Sequence, residues 1–140
     1  MTIRRRFTDE VTALLADAAS PVLDLAGCVD ADGQLSKDAA LARAPYDTVA
    51  SIGVLSHIAD LDGALPVVKE AMAPGGRLVF VDYEPASGLA ARLVARRPRH
   101  DVRAALWRNG FTVVESKSWR DGRRTVVGGE ARVSLTRTGH

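Results

Sequence analysis

Among the 140 residues, His57 is the one whose side chain changes charge near neutral pH and stands where chemistry is easiest to place. It closes the stretch Val54-Leu55-Ser56-His57, directly after an apolar run. Its ring can serve as a general base toward a hydroxyl or amine, or simply be a polar residue at a strand end. Asp82, Tyr83 and Glu84 follow a second apolar run, Leu78-Val79-Phe80-Val81, and either line a pocket together with Ser56 or cap that strand. Asp24 sits inside a third run, Val22-Leu23-Asp24-Leu25-Ala26, where a carboxylate is out of place. Cys28 is the only cysteine, which excludes an internal disulfide and a four-cysteine zinc site. With no histidine near it in sequence, it reads as a small packing residue more than as a nucleophile. No metal-ligand spacing occurs, and no metal is expected.

These residues need elements to position them. Phe7 to Ala19 puts Val11, Leu14, Leu15 and Ala18 on one helical face, with Thr8 as N-cap and Asp9 and Glu10 in the first turn. Val22 to Ala26 reads as a strand buried on both faces. Gly27 to Lys37 carries turn signals, after which Ser36 caps a short helix from Lys37 to Arg43 that Ala44-Pro45 ends. Thr48 to Leu55 is the next strand. Asp60 or Asp62 caps a helix in which Leu61, Ala64, Leu65, Val68, Ala71 and Met72 keep the i, i+3, i+4 spacing, with Pro66 near its first turn. Pro74-Gly75-Gly76 stops that helix, and Arg77 to Tyr83 is a strand. Tyr46 to Glu84 is therefore one βαβ unit with parallel strands.

Helical signals run from Gly88 to Val94, break at Arg97-Pro98-Arg99 and return from Asp101 to Arg108, with Val102, Ala105 and Leu106 inward. Asn109-Gly110 caps that helix. Phe111 to Trp119 and Thr125 to Thr136 form an antiparallel hairpin across Asp121-Gly122, with Gly128-Gly129 expected as a bulge or kink.

Composition narrows the class. Apolar residues are 46%, charged residues 26% and aromatics only 5%, which describes one globular domain over residues 1–140 with a core of Val, Leu and Ala. A net charge of +2 implies no nucleic-acid partner. Arg4-Arg5-Arg6, and Arg92, Arg96, Arg97, Arg99, His100 and Arg103, read as solvated faces, the second set also able to attract an anion. No stretch is long and apolar enough to cross a bilayer, and the first arginines lead into no apolar signal segment. A single cysteine suits a reducing, cytoplasmic setting.

The βαβ unit resembles the class I S-adenosylmethionine-dependent methyltransferases of the small-molecule type. Tyr46-Asp47-Thr48-Val49-Ala50-Ser51, Val54-Leu55-Ser56-His57 and Met72-Ala73-Pro74-Gly75-Gly76-Arg77-Leu78 stand as that family's fourth strand and the entry to its fifth. Leu106-Trp107-Arg108-Asn109-Gly110-Phe111 is similar to its entry to the closing hairpin, and Val22-Leu23-Asp24-Leu25 to its first strand. The resemblance implies an α/β fold: a reduced Rossmann-like three-layer sandwich of about five strands, in the order 1-4-5-7-6 of the family's strand naming, mostly parallel with an antiparallel C-terminal hairpin.

The family follows its first strand with a glycine-rich loop and a second strand ending in an acid that takes the ribose hydroxyls. Here Ala26 stands at the first glycine, Gly27 remains, and Val29 stands where a second small residue belongs. Only 21 residues, Ala26 to Tyr46, separate the two strands, which leaves no room for a full second and third strand. The resemblance implies S-adenosylmethionine as cofactor, with Asp24 and Gly27 at its amino-acid end, Asp38 beside the adenine, and Ser51, Ile52 and Gly53 at the strand end. Ser56, Asp82, Tyr83 and Glu84 would face a small-molecule acceptor, and His57 would take its proton. Two functions follow: methyl transfer, or a non-catalytic methyltransferase-like module that dimerises or regulates a partner. An apolar first strand at the sheet edge invites cover by the N-terminal helix or by a second copy in a homodimer.

Overall fold

The computed structural model describes residues 8–16, 21–84, 101–122 and 124–134. The helix signals of Gly88 to Val94, the Arg97-Pro98-Arg99 break and most of the arginine-rich segment lie outside these residues. The described elements are α1 (Thr8–Leu14), β1 (Val22–Asp24), α2 (Lys37–Leu41), β2 (Tyr46–Ile52), α3 (Leu61–Ala71), β3 (Met72–Tyr83), α4 (Val102–Arg108), β4 (Phe111–Asp121) and β5 (Arg124–Val133). Two 3-10 turns, Leu25–Cys28 and Leu55–His57, follow β1 and β2.

The five strands lie in the order β1-β2-β3-β5-β4. β1, β2 and β3 are parallel, and β5 joins β3 and β4 antiparallel. This is the open, mixed α/β sheet expected. Side-chain alternation sends Val49, Leu78, Phe80 and Val127 to one face, where Leu61, Leu65 and Val68 of α3 and Val102, Ala105 and Leu106 of α4 complete the main core. The opposite face carries a smaller cluster, Ile52, Val81 and Val126, covered by Val11 and Leu14 of α1 and by Leu15 just after it. Helices on both faces make three layers. Among the described residues no helix is long and apolar enough to cross a membrane.

Local chemistry starts the helices where the residues predict. The Ser36 hydroxyl accepts from the Ala39 amide at 3.2 Å, Asp60 Oδ1 from Gly63 at 3.0 Å and Asp101 Oδ1 from Ala104 at 3.2 Å. Each such cap is worth about 1 kcal/mol. Pro66 is the sixth residue of α3, past the first turn.

Three expectations are corrected. β1 is not buried on both faces: Leu23 is buried but Val22 and Asp24 are exposed, because among the described residues β1 pairs only with β2 and its run of strand ends where the turn Leu25–Cys28 begins. α1 does not cover that edge. Its stripe lies on β2, β3 and β5, which offer an apolar patch that Val22 and Asp24 cannot. The pair Gly128-Gly129 forms no bulge. Both residues pair regularly with β3 and β4, while the register shift falls on the partner strand between Val113 and Glu115.

The glycines instead admit close neighbours. A Cβ on Gly128 would lie 2.7 Å from the Trp119 ring, and one on Gly129 2.0 Å from the Glu115 carbonyl oxygen. A second irregularity interrupts β3 itself. Tyr46 pairs with Met72 and Thr48 with Arg77, so β3 spends five residues where β2 spends two, and Ala73-Pro74-Gly75-Gly76 loops outward through the φ of +76° at Gly75.

Gly129→Ala is expected to destabilise the fold by about 1–3 kcal/mol or more, since the obstruction is backbone and cannot rotate away. Gly27→Ala, whose Cβ would meet nothing within 4 Å, should stay within about 0.5 kcal/mol of the parent. Urea unfolding followed by circular dichroism measures both.

Candidate functional site

Parallel strands that end on one side of a sheet bring their following turns together, and ligands of open α/β sheets bind there. Asp24, Ser51 to Gly53, and Asp82 to Glu84 all lie at that end. They are not level. Asp24 pairs with Ala50, which pairs with Val79, so the end of β3 at Asp82 stands three residues higher, roughly 10 Å along the strand direction.

At the lower level Asp24 caps the first 3-10 turn, its Oδ1 accepting from the Ala26 amide at 3.3 Å. Gly27 is exposed in that turn. The chain then folds into a small hairpin closed by a bridge between Val29 and Leu35 and by the Ser36 amide donating to the Cys28 carbonyl at 2.8 Å. Asp30 organises its tip, accepting from the amides of Asp32 at 2.9 Å and Gln34 at 3.0 Å. Gly33, at φ +82° and buried, accepts from the Ala59 amide at 2.8 Å, which ties the hairpin to the connection between β2 and α3. This tie was not foreseen; the turn pair Asp32-Gly33 was its only local signal. A cleft of about 310 Å³ opens beside Gly27, Cys28, Asp30 and Ser36, and another of about 170 Å³ beside Gly33, Ile58 and Asp60. Burial, and secondly the Asp24 carboxylate, push the Cys28 thiol up, which fits a packing residue. Asp38 is exposed in the first turn of α2.

At the upper level β2 ends in Ser51, Ile52 and Gly53. Gly53 takes φ +77°, and its amide continues the ladder to the Val81 carbonyl at 2.6 Å. That left-handed residue turns the chain into Leu55–His57 and lays Ser56 over the end of β3. There the Ser56 hydroxyl donates to Asp82 Oδ1. Both residues are fully buried. Asp82 Oδ2 and the hydroxyl of Ser51 are also buried and form no hydrogen bond. Ser51 and Asp82 project to the same face, since Ser51 pairs with Phe80.

Burial pushes the Asp82 carboxyl up to about 7, against the opposing pull of the Ser56 hydroxyl and the amides of Ser56, Leu55 and Tyr83. The rest of the upper rim is more open. His57 is exposed, its amide donating to the Val54 carbonyl at 3.0 Å. The Tyr83 ring carries the Arg124 guanidinium 4.6 Å from its centroid, and Glu84 pairs with Arg103. Among the described residues no group of His, Cys, Asp and Glu is placed to hold a metal.

The structure thus brings Ser51, Gly53, Ser56, Asp82 and the His57 turn together and sets Asp24 and Gly27 apart beside the hairpin. Chemically, the upper level offers an imidazole at the rim and a buried carboxyl that holds its proton up to neutral pH. The lower level offers a capped turn and an open cleft.

Solved structures similar to this chain include the following three, each matched over 68% of it. One is magnesium protoporphyrin IX methyltransferase (ChlM) from Synechocystis PCC 6803 with bound SAH, 21% identical, with 48% of its length covered and a TM-score of 0.50. Another is StiE O-MT residues 961-1257, 13% identical, 46% covered, TM-score 0.51. The third is the mitomycin 7-O-methyltransferase MmcR, 22% identical, 32% covered, TM-score 0.48. The chain spans less than half the length of each. No protein-family model and no curated protein matches it. The fold is that of the class I S-adenosylmethionine-dependent methyltransferases.

Asp82 makes stability depend on pH. Between about 4 and about 7 the folded state holds a proton that the unfolded state has released, so stability falls as pH rises through that window and levels off above it. The slope expected from this one group approaches roughly 1 kcal/mol per pH unit. Asp82→Asn should flatten it, as read from urea midpoints at about pH 5, 6 and 7; an unchanged slope in the variant would contradict the assignment.

Proposed function

We propose that the chain binds an S-adenosyl ligand across the C-terminal ends of β1, β2 and β3 and acts as a methyltransferase on a small-molecule acceptor. The observation that carries this reading is the class I fold with its strand-end turns intact: Asp24 caps the turn after β1, and Gly53 takes the left-handed conformation after β2. A neighbour of the same fold carries SAH.

The residues present fit the ligand's amino-acid end. The Asp24-capped turn borders an open cleft of about 310 Å³, and Gly27 leaves its mouth unobstructed. Ser51, Ile52 and Gly53 lie at the upper level at the end of β2, and Asp38, exposed on α2, would face the adenine. When bound, S-adenosylmethionine supplies an electrophilic methyl on a sulfonium. The chain's part is alignment, which is worth several kcal/mol of barrier. His57 at the rim would take the acceptor's proton. Tyr83 and Glu84 border the acceptor, with Ser56 and Asp82 holding the His57 turn beneath it.

A second reading is favoured by one observation. Between β1 and β2 the chain holds only a 3-10 turn, the hairpin from Val29 to Leu35 and the short α2, with no second strand for the ribose, and among the described residues β1 is the sheet edge, with Val22 41% exposed. A non-catalytic module that pairs with a second copy, or regulates a partner through that edge, accounts for both.

Calorimetric titration with S-adenosylmethionine and S-adenosylhomocysteine separates the two. The first reading expects binding in the micromolar range, abolished by Asp24→Ala. Absence of heat and of any thermal shift at millimolar ligand would remove it and leave the module.

A further inference from the structure

The roomiest cleft of those described is at the other end of the sheet, away from the turns that follow β1, β2 and β3. It encloses about 740 Å³, within the range of small-molecule sites. Two departures from regular pairing shape it. The looped-out segment Ala73-Pro74-Gly75-Gly76 of β3 forms one side. On the other, the register shift in β4 falls at Val114, whose side chain lines the cleft and remains 53% exposed. Bulges re-aim side chains in this way, and the absence of a Cβ on Gly129 is what lets the shifted β4 backbone lie close. Met72 and Val133 extend the apolar lining, and Val133 is also exposed.

The charged residues of the lining are all of one sign. Lys69 and Arg132 border the cleft, and among the described residues no acidic one lines it. Each has donors to spare after its structural bonds. Lys69 Nζ gives one to the Asn109 carbonyl at 3.2 Å, and Arg132 gives Nη1 to the Gly75 carbonyl at 3.1 Å and Nε to Glu130 at 2.8 Å. Glu130 also accepts from Arg77 at 3.1 Å, so one carboxylate is shared by two guanidinium groups and the local balance stays positive. An apolar trough with cations at its margin complements a molecule with an apolar body and one anionic end.

We propose that this cleft is a second ligand site, taking a small amphipathic carboxylate of the fatty-acid class, with its chain along Met72, Pro74, Val114 and Val133 and its carboxylate on Arg132 and Lys69. The site is independent of any S-adenosyl ligand.

The test titrates the full chain with sodium decanoate below its micelle concentration, by calorimetry and by amide chemical shifts. Saturable binding is expected, with shifts centred on residues 73–76, 112–114 and 132–134. Arg132→Gln and Val114→Asp should each weaken it by at least about tenfold, and decanol should bind at least about tenfold more weakly than decanoate. Val114→Asp changes an exposed residue, so its fold is expected to survive even if Arg132→Gln loosens the β3 loop; its amide spectrum checks that. No saturable binding, equal affinity in a folded Val114→Asp, equal affinity for decanol, or displacement by S-adenosylhomocysteine would each overturn the proposal.

Discussion

The length of chain between β1 and β2 governs what this domain is. Residues 25–45 must leave one strand end and reach the start of its parallel neighbour, a distance that needs at least one crossover element. The turn Leu25–Cys28, the hairpin from Val29 to Leu35 and the short α2 use all of it. These residues supply no further strand, so among the described residues β1 is the edge, is three residues long, and keeps only Leu23 inside. The hairpin's polar tip is satisfied by its own Asp30 and by Ala59, so the connection is compact rather than loose. The sheet thereby ends at the short β1 on one side and runs on through β3 into the hairpin of β4 and β5 on the other.

At the ends of β2 and β3 an unfavourable interaction is retained. Burying Asp82 beneath the Leu55–His57 turn costs free energy whenever its carboxyl is charged, and the Ser56 hydroxyl with three nearby amides offsets only part of that cost. A valine would fill the end of β3 with no such penalty. Strain or buried polarity kept in an otherwise consistent fold is most often found where a site is held together. Here the bond from Ser56 to Asp82 fixes the turn that carries His57, so the exposed ring is presented from a rigid base.

How far the fold was legible follows from how local each determinant is. Ser36 and Asp60 act on amides three residues away, and the apolar spacings of α3 and α4 are read within one element, so these emerged from the sequence directly, with Asp62 as the alternative to Asp60. Burial of Asp24's strand did not, because it depends on the absence of a neighbour that adjacent residues cannot announce. Gly128-Gly129 marked a special place but not the reason for it, which lies across the sheet in Trp119 and the Glu115 backbone. Ser56 and Asp82 were both singled out as polar residues at strand ends. Their bond spans 26 residues and became visible only when β2 and β3 were set side by side. The cleft by Pro74 and Val114 had no local signature, being made by two irregularities in different strands.

The central claim is that the turns at the ends of β1, β2 and β3 form one ligand site despite the shortened connection. Amide chemical shifts of the uniformly labelled chain, recorded with saturating S-adenosylhomocysteine, test it most directly. The account predicts shifts at Asp24 to Cys28 together with Gly53 to His57, and none around Pro74 and Val114. An unchanged spectrum, or shifts confined to residues away from the three strand ends, would contradict it.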